Sequence, residues 1–463
     1  MDTGIGPRTR ALLRRCGAAL LLAVGLYLLT AAVVRGLFRT DNMADYPAHT
    51  LWAIVLTPQD ALASLWNGSE RLWHICVRVV FGLTKNMITA CVVVTALANA
   101  AAYLLVFFSL EAVCPEKCPR WLLALLVAAV FTANALTAPG CPFVTDRGYV
   151  NPWHNPTNIM VRPFAAAVFY MTLRIYNRRR CAVHALWVSE NGAPFSFAER
   201  LADEWRVPVF TPAELVLYPL CLLLSVYAKP AFLQFFAPAI FLFLLIDVIR
   251  TKGRLLPFCV KLALAYLPAV LVLGSQFLYY FGGFSPLAEA QSAADTLRAM
   301  EEAAGETIYY DATSNFDLTG IAFYYILPSF SGVGEVLAET GKALLLTLYL
   351  VAFPLAVFLA ESPADRRSAA WRLGWWGVIA ARLESLLLHE LGIRVNHGNF
   401  RWAYFVAVWL LWTIAAVRWI AGVGAADRQS RLLRWAATPL LLWHLAVGVV
   451  YLVRILQTST YWF

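Results

Sequence analysis

Long apolar runs alternate with short polar ones along this chain. The apolar runs cover roughly 16–38, 86–111, 120–138, 161–177, 212–228, 231–249, 256–280, 342–360, 373–392, 402–422 and 435–457. A helix that crosses a bilayer needs about 20 mostly apolar residues, so the pattern predicts about eleven transmembrane helices. The expected fold is all-α and polytopic, one integral membrane domain over 1–463. The first run is too long for the core of a cleaved leader, and no small-residue cleavage site follows it, so it is read as a retained first helix. The stretch 48–84 has a different pattern: Trp52, Leu56, Leu62, Trp66, Leu72 and Trp73 are interleaved with Asp60, Glu70, Arg71 and Arg78. That predicts amphipathic helices lying along the interface, within a loop spanning 39–85.

Basic residues sort the connections into two sets. Arg8, Arg10, Arg14 and Arg15 precede the first run; Lys117 and Arg120 follow the second. Arg178, Arg179 and Arg180 open a connection over 178–211; Arg250, Lys252 and Arg254 follow the sixth run. Arg366, Arg367 and Arg372 follow the eighth, and Arg428, Arg431 and Arg434 follow the tenth. Every second connection is thus basic, which predicts that these face the cytoplasm, with the N-terminus inside and the C-terminus outside. The 281–341 loop falls on the other side; over 281–317 it holds seven acids and Arg298 as its one basic residue. Asp247 and Lys261 lie near cytoplasmic ends of runs, where snorkelling accounts for them.

Composition agrees with this picture. Hydrophobic residues make up 60% of the 463 and charged residues 14%, against about 45–50% and about 25% in soluble domains. The net charge of +9 follows from basic cytoplasmic loops, and nucleic acid is not an expected partner. The nine cysteines lie mostly inside apolar runs, as at Cys91, Cys221 and Cys259. Cys114 and Cys118 form one CxxxC without a second pair, so neither a zinc site nor a disulfide framework is implied. Asn67-Gly68-Ser69 fits a glycosylation sequon, a short pattern that arises readily by chance.

The unusual polar stretches all fall on the predicted outer side. In "DNMADYPAH", Pro47 suits the first turn of a helix, which puts Asp45 near that helix's start, where the dipole favours an anion. His49 follows Asp45 by four residues and shares its face. Asp45 could equally be a simple cap, and Asp41 a solvated loop residue. "NPWHNPTN" (151–158), with His154, is expected to be non-helical, and Arg162-Pro163 to open the fourth span with a cation at the interface. "HELGIRVNHGNFRWAY" ends one span and begins the next; Arg394, His397, Asn399 and Arg401 cluster around Gly398. Lys229 stands at the outer end of the fifth span. Arginine and lysine at the hydrocarbon boundary suit a lipid-linked phosphate, and a carboxylate suits deprotonation of a hydroxyl. HExxH, P-loop and GxSxG patterns are absent.

An acidic motif just past the first span, then interfacial helices, then about ten more spans, resembles the GT-C superfamily of membrane glycosyltransferases. Asp41-Asn42-Met43-Ala44-Asp45-Tyr46-Pro47-Ala48-His49 is similar to the Asp-Tyr/Phe-Pro-x-His form of bacterial members. The resemblance implies a polyprenyl-phosphate-linked sugar as donor, transfer to a cell-envelope acceptor on the outer face of the cell membrane, and a first-loop aspartate as base. The expected catalytic residues are Asp45, Asp41 and His49. Arg162, Lys229, Arg394, Arg401, His397, Asn399 and His154 are the expected binding residues. No cofactor is implied, although Asp41, Asp45 and His49 could hold a divalent metal. The chain departs from the Asp-Glu-x-x-Tyr form of protein mannosyltransferases, and no soluble domain is recognisable after the last span. The competing readings are a polysaccharide polymerase or ligase of another membrane family, a transporter or flippase of lipid-linked sugars, and a membrane scaffold. Against transport, no internal repeat is evident and the interiors of the spans are poor in charge.

Overall fold

Prolines and small polar residues punctuate the apolar runs, and the runs fold as helices. Thr211 shows the local logic: its side chain accepts from the Glu214 amide while the Glu214 carboxylate takes the Thr211 amide, a reciprocal cap that starts the next helix at Pro212. The computed structural model describes residues 7–38, 45–67, 70–111, 120–132, 153, 155–188, 205–281, 333–387, 402–422 and 428–458.

In chain order the described helices are α1 (Pro7–Phe38), α2 (Tyr46–Val55), α3 (Pro58–Asn67), α4 (Arg71–Thr84), α5 (Met87–Glu111), α6 (Arg120–Thr132), α7 (Pro156–Val188), α8 (Pro212–Ala228), α9 (Ala231–Arg250), α10 (Leu256–Phe281), α11 (Val333–Ala360), α12 (Pro363–Arg366), α13 (Ala369–Leu387), α14 (Trp402–Gly422) and α15 (Arg428–Thr458). No strand occurs among the described residues.

Among the described residues, seven helical segments are long and apolar enough to cross a membrane: Cys16–Phe38, Met87–Glu111, Pro156–Arg179, Ala231–Arg250, Leu256–Leu278, Trp402–Gly422 and Arg434–Val453. Arg120–Phe131, Pro212–Ala228 and Leu344–Ala360 are apolar but shorter. Large apolar side chains such as Leu21, Leu28, Leu264, Leu271, Leu345 and Val450 face outward on the long helices. A water-soluble surface does not carry such continuous apolar cover, whereas lipid tails solvate it. The protein is an all-α, multi-pass membrane protein.

α7 differs from its sequence expectation at both ends. Pro156, Thr157 and Asn158 are its first turn and not part of an irregular stretch, because proline at a first helical position lacks only an amide that would be unsatisfied there. Arg162 therefore lies inside the helix and not at its head. At the other end α7 continues to Val188, into the expected 178–211 loop, and α11 likewise begins inside the expected 281–341 loop.

The bundle is knit by α1 against α5, α5 against α7, and α13 against both α9 and α14. Gly374 of α13 lets Leu411 and Ile414 of α14 approach to 3.0 and 3.1 Å of the point a β-carbon would occupy. Polar side chains gather at two places. One collects the start of α2, the start of α4, the head of α7, the α8–α9 corner and the head of α14; we call it the Asp45 end. The other collects Arg174, Arg178, Glu214, Asp247, Glu361 and Arg372; we call it the basic end. The two charged residues expected to snorkel differ. Lys261 does reach out, donating to the carbonyls of Trp205 and Val207. Asp247 is instead buried, held by Arg372 and Tyr176.

Candidate functional site

α2, α3 and α4 are three helices within 39–85, the stretch where interfacial helices are expected. α4 is fastened to α5 by the Trp73 indole, which donates to Thr95 Oγ1 at 3.0 Å. α3 is tied to α8 by the Tyr227 hydroxyl on the Leu65 carbonyl at 2.5 Å. The start of α2 meets the residue just before α7 through Asp45 and Asn155.

Asp45 stands at the N-cap of α2, and its backbone oxygen accepts from the His49 amide at 2.9 Å. Its side chain makes no cap hydrogen bond. The carboxylate oxygen Oδ2 instead accepts from Asn155 Nδ2 at 2.7 Å, from a residue 110 positions away. Asp45 is thus more than a helix cap. The same Asn155 nitrogen lies 3.1 Å from His49 Nε2. Asn155 is oriented by Thr157, whose backbone amide donates to Asn155 Oδ1 at 2.8 Å. The Thr157 hydroxyl donates to the same oxygen at 2.6 Å.

His49 and His74 are both buried, with Nδ1 of His49 2.9 Å from Nε2 of His74 and the rings stacked at 5.0 Å. Trp52 and Trp73 box them in. His74 Nδ1 contacts the Glu70 carbonyl at 2.8 Å. Burial, reinforced by the neighbouring His49, pushes the His74 imidazole down from 6.5 to about 3.

Two cations expected to meet a phosphate have different surroundings. Lys229 is buried and its ammonium lies 2.5 Å from Glu70 Oε1, 3.2 Å from Thr157 Oγ1 and 5.1 Å from the centre of the Trp402 ring. Burial alone would raise the Glu70 carboxyl, but Lys229 together with His49 and His74 outweighs it and holds Glu70 below its ordinary value. The charge of Lys229 is therefore already matched. Arg162 is buried and donates through Nη1 to Asn99 Oδ1 at 2.6 Å; Asn99 in turn donates to Thr30 Oγ1 at 3.0 Å. Trp153, Phe405 and Trp409 surround the guanidinium at 6.0, 5.2 and 5.9 Å. Among the described residues no carboxylate forms an ion pair with it, and its Nε–H has no acceptor.

The neighbourhood of Arg162 holds further unanswered groups. Asn158, one turn earlier on α7, is buried with both amide atoms unpartnered. The Trp409 indole N–H and the buried Tyr46 hydroxyl, which lies within electrostatic reach of Arg162, are unpartnered too. An orphaned buried donor costs about 1–3 kcal/mol. Several around one guanidinium describe a place for an anion with several acceptor oxygens.

Asp45, His49, Arg162 and Lys229 are thus gathered at one end of the bundle. Asp41, His154, Arg394, His397, Asn399 and Arg401 lie outside the described residues. Among the described residues no three His, Cys, Asp or Glu side chains assemble into a metal-holding group. Sequence reasoning missed Asn155, Glu70, His74, Asn99 and Asn158. One signal existed: His74 follows Glu70 by four, the same spacing as Asp45 and His49. No protein-family model matches the chain, and neither the curated proteins nor the solved structures yield a match.

Proposed function

We propose that this chain is a membrane glycosyltransferase of the GT-C kind, moving a sugar from a polyprenyl-phosphate donor to a cell-envelope acceptor. In this reading the chain crosses the cell membrane about eleven times. Its N-terminus is cytoplasmic, its C-terminus is extracytoplasmic, and the Asp45 end faces outward. The observation that carries the reading is one juxtaposition: an oriented carboxylate, Asp45, at the same end as a buried guanidinium, Arg162, that lacks a carboxylate partner among the described residues.

The chemistry divides between them. Asp45 takes the proton of the acceptor hydroxyl. The freed oxygen forms a bond to the anomeric carbon, and the bond from that carbon to the phosphate oxygen breaks. The electron pair leaves on the polyprenyl phosphate, where Arg162, with Asn158, Tyr46 and Trp409, stabilises the charge. Lys229, matched by Glu70, acts as a brace for the site. His154, Arg394, His397, Asn399 and Arg401 stay in the proposal as further donor-binding groups, by their places in the sequence.

The test uses the full chain in liposomes with a panel of polyprenyl-phosphate-linked radiolabelled sugars. The expected result is release of polyprenyl phosphate from one of them, lost in Asp45→Asn and with weakened donor binding in Arg162→Gln. Normal turnover and donor binding in both variants would remove the basis of the proposal.

A further inference from the structure

The hydrogen bonds that join Thr157, Asn155, His49 and His74 run in one direction only. The chain of contacts begins at the Thr157 backbone amide, which can only donate, so Asn155 Oδ1 must accept. The Asn155 NH₂ then faces two acceptors, Asp45 Oδ2 at 2.7 Å and His49 Nε2 at 3.1 Å. A proton on His49 Nε2 would collide with that NH₂, so His49 carries its proton on Nδ1. That nitrogen points at His74 Nε2, 2.9 Å away, which must accept. His74 therefore also carries its proton on Nδ1, donating to the Glu70 carbonyl at 2.8 Å. A backbone carbonyl can only accept. Both ends of the chain are backbone groups of fixed role, so its polarity cannot reverse.

We propose that Asn155, His49 and His74 form a one-way relay that positions Asp45, with Asn155 and His74 as positioning residues, and that proton uptake by the histidine pair disconnects it. The proposal rests on the glycosyl-transfer reading only for the consequence at Asp45; the relay itself does not depend on it.

Adding a proton makes the disconnection unavoidable. On His74 Nε2 it would set two N–H groups against each other across 2.9 Å. On His49 Nε2 it would face the Asn155 NH₂ and turn that amide off Asp45. The neutral state of His74 is favoured by the site's construction, since its ring is buried against Trp52 and Trp73. The charged groups packed around them include Asp45 at the head of α2, Glu70 and Arg71 at the head of α4, and Lys229 at the α8–α9 corner. Arg71 opposes a proton on His74 and Glu70 favours it. Lys229 is matched by Glu70.

Two measurements test the relay. Nitrogen NMR of the full chain in nanodiscs, labelled at its histidine rings, reads protonation without any activity. His74 is identified by the signal that disappears in His74→Gln, and His49 by the signal that disappears in His49→Gln. Both should be neutral and protonated on Nδ1, the tautomer that free histidine disfavours, at about pH 7.5. Either ring found as the Nε2–H tautomer, or as imidazolium, overturns the relay.

The second measurement compares two substitutions at His74. His74→Gln offers an oxygen to His49 Nδ1–H and an N–H to the Glu70 carbonyl, but cannot titrate. His74→Leu offers neither. Expected are a kcat within about threefold of the parent for the Gln variant and a fall of about tenfold for the Leu variant, with KM for the lipid donor unchanged in both. The acid side of the kcat profile should move to lower pH in His74→Gln. Equal kcat values in the two variants would overturn the positioning role even with the tautomers as expected. If the parent chain transfers no sugar, the glycosyl-transfer reading fails, and the NMR alone decides the relay.

Discussion

The two polar ends of the bundle use the same side chains to opposite effect. At the basic end the buried carboxylates Asp247, Glu214 and Glu361 meet cations or strong donors. Asp247 takes Arg372 at 2.7 Å and the Tyr176 hydroxyl. Glu214 takes Arg174 at 2.6 Å, Arg178 at 2.7 Å and the Thr211 amide. Glu361 takes the Trp371 indole at 2.8 Å, with Arg418 at 3.8 Å. These are closed contacts that lock α7, α8, α9 and α13 together. At the Asp45 end neutral groups reach the charges: an asparagine amide donates to Asp45, and Arg162 donates to another amide among three rings. Lys229 and Glu70 there are matched in the manner of the basic end. A buried ion pair is complete and needs nothing more, whereas a buried guanidinium answered by an amide and rings keeps capacity for an anion.

The contrast can be broken most decisively at Asp45. Asp45→Asn keeps size and one acceptor but cannot take a proton. Loss of a positioned base typically costs about 10² to 10⁴ in rate, so turnover of the lipid-linked donor should fall by that factor with an unchanged melting temperature. Near-normal turnover would make Asp45 as structural as Asp247.

The converse experiment is Asp247→Asn. It strands Arg372 over the Phe243 ring, and removing one partner of a buried pair costs about 3 kcal/mol or more. Denaturation should register that loss, while transfer per folded molecule stays at the parent's level. A selective loss of transfer would show that the basic end is more than scaffold.

Arg162→Gln keeps a donor for Asn99 Oδ1 but removes the charge. Affinity for a polyprenyl-phosphate ligand should drop about 10- to 100-fold, the worth of one charge-assisted contact. The matching change on an exposed cation of the basic end, Arg174→Gln, should leave that affinity unaltered. Titration calorimetry of the two variants side by side sharpens the comparison.

The smallest effect is on stability in acid. His74 is held neutral down to about 3 in the folded chain but takes a proton near 6.5 once unfolded. Above the unfolded value neither state binds the proton, so nothing changes there. As pH falls from 6.5 towards about 3, the unfolded chain gains a proton that the folded chain refuses, and stability drops. At about pH 5 the loss is about 2 kcal/mol, from about 1.4 kcal/mol per unit. Glu70, held below its ordinary 4.5, adds to the loss only in stronger acid. His74→Gln should flatten the slope of melting temperature between about pH 7 and about pH 5, and hydrogen exchange should find the acid-sensitive amides in α2 and α4, not in α8.

The apolar runs by themselves determined the class of molecule. Desolvating a backbone in lipid allows little but helices, and twenty-odd apolar residues leave few places to begin or end one. Seven of the runs are helices long enough to cross, and Pro212–Ala228 and Trp402–Gly422 begin and end where the sequence pattern does. Local spacing also showed that Asp45 and His49 share a face, because i and i+4 are neighbours on any helix. The boundaries of α7 were less legible. A proline-rich stretch reads as irregular until one knows that Pro156 sits where helix geometry tolerates it.

What the sequence could not determine was which polar groups meet. Asp45 and Asn155 are 110 positions apart, His49 and His74 are 25, Lys229 and Glu70 are 159, and Arg162 and Asn99 are 63. Those meetings depend on where helices cross and how each is rotated about its axis, a collective result of core packing that no short window contains. The same packing decided that Lys229 is matched and Arg162 is not. Periodicity marks a side chain as facing inward, but only the neighbouring helix supplies, or withholds, the partner it finds there.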